Sequence, residues 1–110
     1  MEIKYSFVIP HKNAKALLQR CVNSIPLRSD VEIIIIDDNS KESQKPIIDC
    51  DRIKVVHLSR NESKGAGHAR NVGLSLVTGE WVLFPDSDDY YVEGFLDVLD
   101  SINNNDIDIV

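Results

Sequence analysis

Short apolar runs and longer helical stripes alternate along this chain. Four compact runs predict β-strands, and a fifth run begins near the end of the sequence. The runs lie at 5–10 (YSFVIP), 31–36 (VEIIII), 53–58 (IKVVHL), 81–84 (WVLF) and 106–110 (DIDIV). The second run is almost entirely β-branched, which is typical of a strand covered on both faces.

Between these runs, apolar residues recur at helical spacing and predict three helices. The three stripes are Leu17, Leu18, Cys21, Val22 and Ile25; Ala69, Val72, Gly73, Leu76 and Val77; and Phe95, Leu96, Leu99 and Ile102. Strands that alternate with helices at this spacing predict βαβ units with right-handed crossovers. We therefore expect one α/β domain over residues 1–110, with a mainly parallel sheet between two helical layers (α/β/α).

The segment after the first strand lacks the usual phosphate-binding sequences. Ligands of open α/β sheets bind beyond the carboxyl ends of the strands, at a switch in strand order. Here the first strand ends in Pro10-His11-Lys12-Asn13, with neither a Gly-rich dinucleotide turn nor a Walker-type Gly-Lys-Ser/Thr. Helix capping explains Asn13 as well as ligand contact does.

Two adjacent carboxylates, Asp37 and Asp38, end the second strand. Neighbouring side chains of a strand point in different directions, so at least one carboxylate should face the crevice. There it could accept a hydrogen bond from a base N–H or a ribose hydroxyl. The alternative is helix capping by Asp38, Asn39 or Ser40.

A glycine-containing segment follows the third strand. Gly65 and Gly67 would let the backbone approach a ligand or adopt positive φ. Arg70 comes one turn later, where it could reach a phosphate or a base. The alternative is that the glycines only begin a helix and that Arg70 is a surface charge. His68 receives no assignment.

Three carboxylates, Asp86, Asp88 and Asp89, follow the fourth strand within four residues. Close like charges repel by about 4 kcal/mol per pair at an effective dielectric near 20, unless solvent or a cation relieves them. Carboxylate oxygens suit Mg²⁺ or Mn²⁺. An acidic turn that caps the next helix is the alternative, and we favour the metal site.

The overall charge limits the partners of the chain. The net charge of −6, from 18 acidic and 12 basic residues, argues against nucleic-acid binding, and a polyphosphate ligand would require a metal. Cys21 and Cys50 lack metal or redox spacing, so reduced thiols and a cytoplasmic location are expected. The N-terminus lacks a signal-peptide layout, and no run approaches the roughly 20 apolar residues of a membrane span.

Taken in order, the four strand-end segments resemble the glycosyltransferase family 2 pattern of the GT-A, Rossmann-like fold. The matching motifs are Val8-Ile9-Pro10-His11-Lys12-Asn13, Asp37-Asp38-Asn39-Ser40, the stretch from Gly65 to Gly73, and the run from Gly79 to Asp89. Each motif is weak alone, but four in order are specific and cover nearly the whole chain. In place of His11-Lys12 many relatives carry Tyr before the Asn, so Lys12 could instead meet a phosphate.

The resemblance implies a metal-dependent, inverting transfer from a nucleotide-diphospho-sugar, with UDP expected, to an acceptor hydroxyl. Asp38 would hydrogen-bond the base, usually uracil, and Asp88 would coordinate Mn²⁺ or Mg²⁺ bridging the diphosphate. The implied nucleotide-contacting residues are Pro10, Asp38, Arg70, Asp86 and Ser87, and the implied metal ligands are Asp88 and Asp86. The general base in this family is an acidic residue of the later half, so no catalytic residue is assigned here.

The implied protein is longer than this chain. We therefore expect a truncated fold that carries only the donor site and is inactive alone. The acceptor is an unidentified saccharide, lipid or protein, and the full-length protein could lie at the inner face of a membrane. Self-association through an exposed sheet edge is a further hypothesis. The alternatives are a non-catalytic nucleotide-binding module and a Mg²⁺-dependent phosphoryl-transfer or receiver-type α/β domain.

Overall fold

A parallel four-stranded sheet forms the centre of the computed structural model, which describes residues 2–103. The strands are β1 (Tyr5–His11), β2 (Val31–Asp38), β3 (Ile53–Leu58) and β4 (Trp81–Leu83). The helices are α1 (Lys15–Ser24), α2 (Ala66–Leu74) and α3 (Phe95–Asn103), with a short 3-10 helix at Glu42–Gln44. The fifth predicted strand, at 106–110, lies outside the described residues.

The strand order is β3-β2-β1-β4, and all three strand pairs are parallel. The chain builds outward from β1 to β3 and then returns to place β4 on the other side of β1. The strand order therefore switches between β1 and β4, where parallel sheets form a crevice at their carboxyl edge. The prediction of an α/β fold with a mainly parallel sheet is confirmed.

Both faces of the sheet are covered, which confirms the three layers. Phe7, Ile33 and Ile35 point to one face, where they pack with α1 and α3. Ile34 and Ile36 point to the other face, beneath α2. Because side chains alternate along a strand, an all-apolar β2 serves both layers at once.

Helix α2 lies unusually close to the sheet at Gly73. A Cβ at this position would overlap Val8 Cγ1 and come within 3.3 Å of Ile36 Cγ1. The absence of a side chain lets the helix backbone approach β1 and β2. This close packing places the beginning of α2 beside the carboxyl edge of the sheet.

The strand limits differ from the prediction at the polar ends. Strand β1 continues to His11, because His11 stays in register with Asp37 of β2. Strand β2 continues to Asp38, which stays in register with Leu58 of β3. Strand β4 ends at Leu83, one residue before the predicted limit, and Phe84 is 45% exposed. The two polar extensions carry the candidate site residues directly on the sheet.

An ion-pair network lies at the opposite edge of the sheet and joins α3 to β1. Asp100 accepts hydrogen bonds from Lys4 Nζ at 3.1 Å, Tyr5 Oη at 2.8 Å and Arg28 Nη1 at 2.9 Å. These contacts attach α3 to the sheet far from the candidate site. Both cysteines are free thiols, Cys21 buried and Cys50 partly buried. No helix within residues 2–103 has the length and apolar character needed to cross a bilayer.

Candidate functional site

A cleft of about 390 Å³ opens at the carboxyl ends of β1, β2 and β4, beside the start of α2. Its size falls within the roughly 300–1,000 Å³ range of small-molecule sites. It is lined by Pro10, His11, Lys12, Asp38, Ser63, Gly65, Ala66, Asp86 and Ser87. The cleft therefore forms where the switch in strand order predicted it.

Asp38 brings a buried carboxylate to the floor of this cleft. The residue is 5% exposed, and its Oδ1 atom has no hydrogen-bond partner among the described residues. A buried, unpaired carboxylate oxygen is costly unless a ligand supplies a donor. The capping alternative fails, because the nearby 3-10 helix begins after Lys41 without a side-chain cap.

Asp37, the neighbour of Asp38, is saturated with partners instead. Its Oδ1 accepts hydrogen bonds from His11 Nδ1 at 3.0 Å and from Ser40 Oγ, and its Oδ2 accepts one from His57 Nδ1 at 3.0 Å. Burial alone would raise the pKa of Asp37, but these hydrogen bonds from Ser40, His57 and His11 together hold it below its usual value. Of the two adjacent carboxylates, Asp38 is therefore the one available to a ligand.

The first turn of α2 forms another wall of the cleft. Gly65 precedes the helix with φ of 93°, in the left-handed region that favours glycine, and no side chain caps the helix. The exposed N–H groups of a helix N-terminus carry partial positive charge. Gly67, by contrast, is an ordinary helical residue whose backbone needs no special conformation. Gly65 thus has the positive φ that the sequence suggested, and Gly67 does not.

The acidic cluster after β4 lies at the edge of the cleft. One carboxylate oxygen from each of Asp86, Asp88 and Asp89 can be chosen so that all three lie within 4.8 Å of one another. All three residues are exposed. Helix α3 begins only at Phe95, so none of them caps it. Oxygen donors in this arrangement fit the preference of Mg²⁺ and Mn²⁺, which complete their coordination with phosphate oxygens and water.

The three carboxylates are not equivalent. Asp86 lines the cleft, and its Oδ1 accepts a hydrogen bond from Arg70 Nη2 at 2.6 Å. Asp89 Oδ2 accepts one from the Asp86 backbone N–H at 2.9 Å, which closes the turn. Asp88 presents its carbonyl oxygen to Arg20 Nη2 at 2.8 Å. Its carboxylate accepts no hydrogen bond from the described residues, so it is the most available to a cation.

The structure brings most of the predicted site residues together. Four of them line the cleft, namely Pro10, Asp38, Asp86 and Ser87. Arg70 does not line it, but its side chain, which is partly exposed, forms an ion pair with Asp86 beside the cleft. Asp88 lies in the same acidic cluster as Asp86.

Sequence reasoning did not identify the role of several neighbouring residues. Ser63 lines the cleft without any distinctive sequence signal, and Ala66 lines it from within the matching stretch at 65–73 without an assigned role. Asn13 does not cap α1: its φ is 52°, its Oδ1 accepts the Lys41 N–H at 2.7 Å, and the N-cap position belongs to Ala14. His11 and His57 hydrogen-bond to Asp37 from two other strands. Because the three residues are far apart in the chain, no local sequence pattern indicates these contacts.

Comparison with known proteins identifies the family of the chain. The profile of the family described as Glycosyl transferase family 2 matches residues 6–110. A GalNAc(5)-diNAcBac-PP-undecaprenol beta-1,3-glucosyltransferase of Campylobacter jejuni is 37% identical over 103 residues, which cover 87% of this chain and 33% of the relative. A poly(ribitol-phosphate) beta-glucosyltransferase of Bacillus spizizenii is 38% identical over 96 residues, or 80% of this chain and 15% of the relative.

A solved structure shows the same fold. The crystal structure of S. aureus TarS 1-349 superimposes with a TM-score of 0.77 at 27% identity, covering 94% of this chain and 33% of that one. The chain thus spans about a third or less of these proteins. The profile match, the relatives and the GT-A architecture agree, and the chain belongs to glycosyl transferase family 2.

Proposed function

We propose that this chain forms the donor site of a metal-dependent glycosyltransferase, with a UDP-sugar as donor and an acceptor hydroxyl attacking with inversion. One observation carries the proposal. Asp38 Oδ1 is a buried carboxylate oxygen that has no partner within the described part of the chain, and Asp38 lies in the same cleft as Asp86. Asp86 belongs to an oxygen-rich cluster suited to a cation. The first feature fits a base N–H, and the second fits a diphosphate with its metal.

The polarity of the cleft favours uracil over cytosine. Uracil presents an N–H between two carbonyl groups. Asp38 could accept that N–H, while the uncapped N–H groups at the start of α2 lie on the same cleft and suit a carbonyl. Cytosine lacks this ring N–H, and in the same orientation it would turn the lone pair of its N3 atom toward the Asp38 carboxylate, with only its exocyclic amino group left as a donor. Pro10 supplies an apolar surface beside the base.

The acidic cluster supports a divalent cation at the diphosphate. Asp88 and Asp86 would hold Mn²⁺ or Mg²⁺, and Ser87 between them would contact the nucleotide. The cation would act as a Lewis acid and neutralise charge on the departing nucleoside diphosphate. Arg70 holds Asp86 and adds positive charge near the diphosphate. Lys12, exposed on another wall of the cleft, could reach a phosphate.

We infer that the acceptor site and the general base lie outside this chain, because it spans about a third or less of its relatives. An inverting transfer needs a base that deprotonates the attacking hydroxyl, and we assign that role to no residue here. The names of the two relatives specify an undecaprenol-linked glycan and poly(ribitol-phosphate) as acceptors. We infer a saccharide, lipid or protein hydroxyl as the acceptor, and a cytoplasmic location at the inner face of a membrane.

A nucleotide panel tests the donor assignment. UDP, CDP, GDP and ADP are titrated into the protein with Mn²⁺, and UDP is expected to bind most tightly. Equal binding of CDP, or tighter binding of a purine nucleotide, would contradict the assignment of uracil as the base. Release of UDP from UDP-sugars in the presence of acceptors then separates a transferase from a non-catalytic nucleotide-binding module.

A further inference from the structure

Asp37 is fully buried beside the cleft but does not line it. Its Oδ1 atom accepts two hydrogen bonds, one from His11 Nδ1 and one from Ser40 Oγ. Neither interaction is needed to form the sheet, because the strands are already paired through their backbones. The arrangement therefore requires another explanation.

Both donors to Asp37 Oδ1 in turn accept backbone N–H groups from the turn between β1 and α1. Ser40 Oγ accepts the Asn13 N–H at 2.9 Å, and His11 Nε2 accepts the Ala14 N–H at 3.0 Å. Because Nε2 is an acceptor, the single ring proton of a neutral His11 must lie on Nδ1, where it points at Asp37. Asp37 Oδ1 thus orients the two side chains that accept the consecutive backbone N–H groups of Asn13 and Ala14.

Neither Asn13 nor Ala14 supplies a side-chain acceptor for those amides. Asn13 has a left-handed φ of 52°, and Ala14 at the N-cap position of α1 has no side-chain oxygen. The Asn13 side chain is directed away and accepts the Lys41 N–H, which ties the turn to the segment after β2. The turn directly follows Pro10, His11 and Lys12, all of which line the cleft.

We propose that Asp37 is a positioning residue of the nucleotide site. Through His11 and Ser40 it holds the β1–α1 turn, and so keeps the wall formed by Pro10 and Lys12 in place beside Asp38 before the ligand arrives. Partners that orient a metal ligand from behind commonly contribute about 10–100-fold to affinity or activity, and we expect an effect of the same order for Asp37. The proposal rests on the proposed nucleotide site but makes a separate claim about the free protein.

The first readout is side-chain and amide NMR of the free protein. In the wild type, the His11 ring carries its proton on Nδ1, and the Asn13 and Ala14 amides exchange slowly with solvent. Asp37→Ala abolishes the tautomer preference and accelerates both exchanges. Asp37→Asn preserves them, since its amide oxygen can accept from both His11 and Ser40 while the partly exposed His57 adopts its other tautomer.

The second readout is UDP affinity in Mn²⁺. Asp37→Ala weakens it by roughly 10–100-fold, Ser40→Ala weakens it by less, and Asp37→Asn restores it. His57→Gln is the matched control, because His57 contacts only the other oxygen of Asp37, and it should bind UDP as the wild type does. If Asp37→Ala does not fold, Ser40→Ala tests the proposal instead. Its Asn13 amide should then exchange faster than in the wild type, and its UDP affinity should be lower.

Two results would overturn the proposal. The first is that Asp37→Ala keeps the wild-type His11 tautomer and the slow exchange of the Asn13 and Ala14 amides. The second is that Asp37→Ala loses both features but binds UDP as tightly as the wild type. The proposal would also be overturned if Ser40→Ala kept the wild-type exchange rate of the Asn13 amide or the wild-type UDP affinity. Failure of the wild-type chain to bind any nucleotide would instead contradict the proposed function, while NMR would still decide whether Asp37 sets the tautomer and holds the turn.

Discussion

Arg70 on α2 and Asp86 after β4 form an ion pair in which Arg70 Nη2 lies 2.6 Å from Asp86 Oδ1. The contact ties the helix beside the cleft to the loop that bears the acidic cluster. It also places one positive charge next to three carboxylates, which reduces their mutual repulsion when no cation is present. Arg70 and a divalent cation therefore compete in part for the negative charge of the acidic cluster.

Arg70→Ala should affect cation and nucleotide binding in opposite directions. Removing the positive charge should tighten binding of Mn²⁺ alone by a factor of up to about 5, the range of an exposed ion pair. UDP binding in saturating Mn²⁺ should weaken, because Asp86 loses its partner and the diphosphate loses a nearby positive charge. Electron paramagnetic resonance of free Mn²⁺ and calorimetry of UDP measure the two effects. Arg52→Ala, an exposed arginine before β3, should change neither; unchanged binding in Arg70→Ala would place Arg70 outside the site.

Asp38→Asn should separate ligand binding from stability. A charged acceptor forms a hydrogen bond about twice as strong as a neutral one, so UDP affinity should fall by about tenfold. The free energy of unfolding should stay equal or rise, because a buried carboxylate with an unpaired oxygen is replaced by a neutral amide. Calorimetry and urea denaturation measure the pair. Asp51→Asn, an exposed carboxylate, serves as control; loss of stability in Asp38→Asn with normal UDP binding would mean that Asp38 is structural.

Two glycines of α2 should respond oppositely to alanine. Gly73→Ala should lower the free energy of unfolding by about 1–3 kcal/mol, since the new methyl group would overlap Val8 and force the helix outward. Gly67→Ala should leave stability unchanged or raise it by up to about 1 kcal/mol, because its Cβ would meet nothing within 4 Å and alanine favours helix. Thermal and urea unfolding provide the comparison. Equal effects at both positions would show that α2 does not depend on close approach at Gly73.

Asp100→Asn should flatten the acid dependence of stability. The pKa of Asp100 is lowered from 3.8 to about 2, chiefly by the hydrogen bond from Arg28 and further by those from Tyr5 and Lys4. A carboxyl whose pKa is lower in the folded protein stabilises it above the unfolded pKa, and that contribution is lost as the pH falls from 3.8 towards about 2. Asp30 and Asp37 also have lowered pKa values and should leave a residual slope.

Urea midpoints between pH 5 and pH 2 measure this slope for wild type, Asp100→Asn and the exposed control Asp49→Asn. A slope in Asp100→Asn as steep as that of the wild type would show that the Arg28–Asp100 contact contributes nothing to folding.

The predictable part of this structure is the part that depends on periodicity and chain order. The β-branched run in β2 and the stripe that includes Val72 and Gly73 placed the layers correctly. The rule that ligands bind at strand carboxyl ends brought Asp38 and Asp86 into one cleft, because parallel strands align those ends whatever the loops between them do.

The unpredicted part depends on side chains that meet only after folding. The local pattern around Asn13 suits a helix cap, yet its left-handed backbone sends the side chain to Lys41. Of two adjacent aspartates, only the structure separates the saturated Asp37 from Asp38, whose Oδ1 atom finds no partner among residues 2–103. Such choices depend on residues from several strands and leave no spacing signal in the sequence.

Calorimetric titration of UDP with and without Mn²⁺, in wild type and Asp88→Ala, tests the central claim most directly. The exposed Asp97→Ala on α3 is the control. A metal-assisted donor site predicts UDP binding that requires Mn²⁺, disappears in Asp88→Ala and persists in Asp97→Ala. UDP binding that is equally strong without Mn²⁺, or that survives in Asp88→Ala, would contradict it.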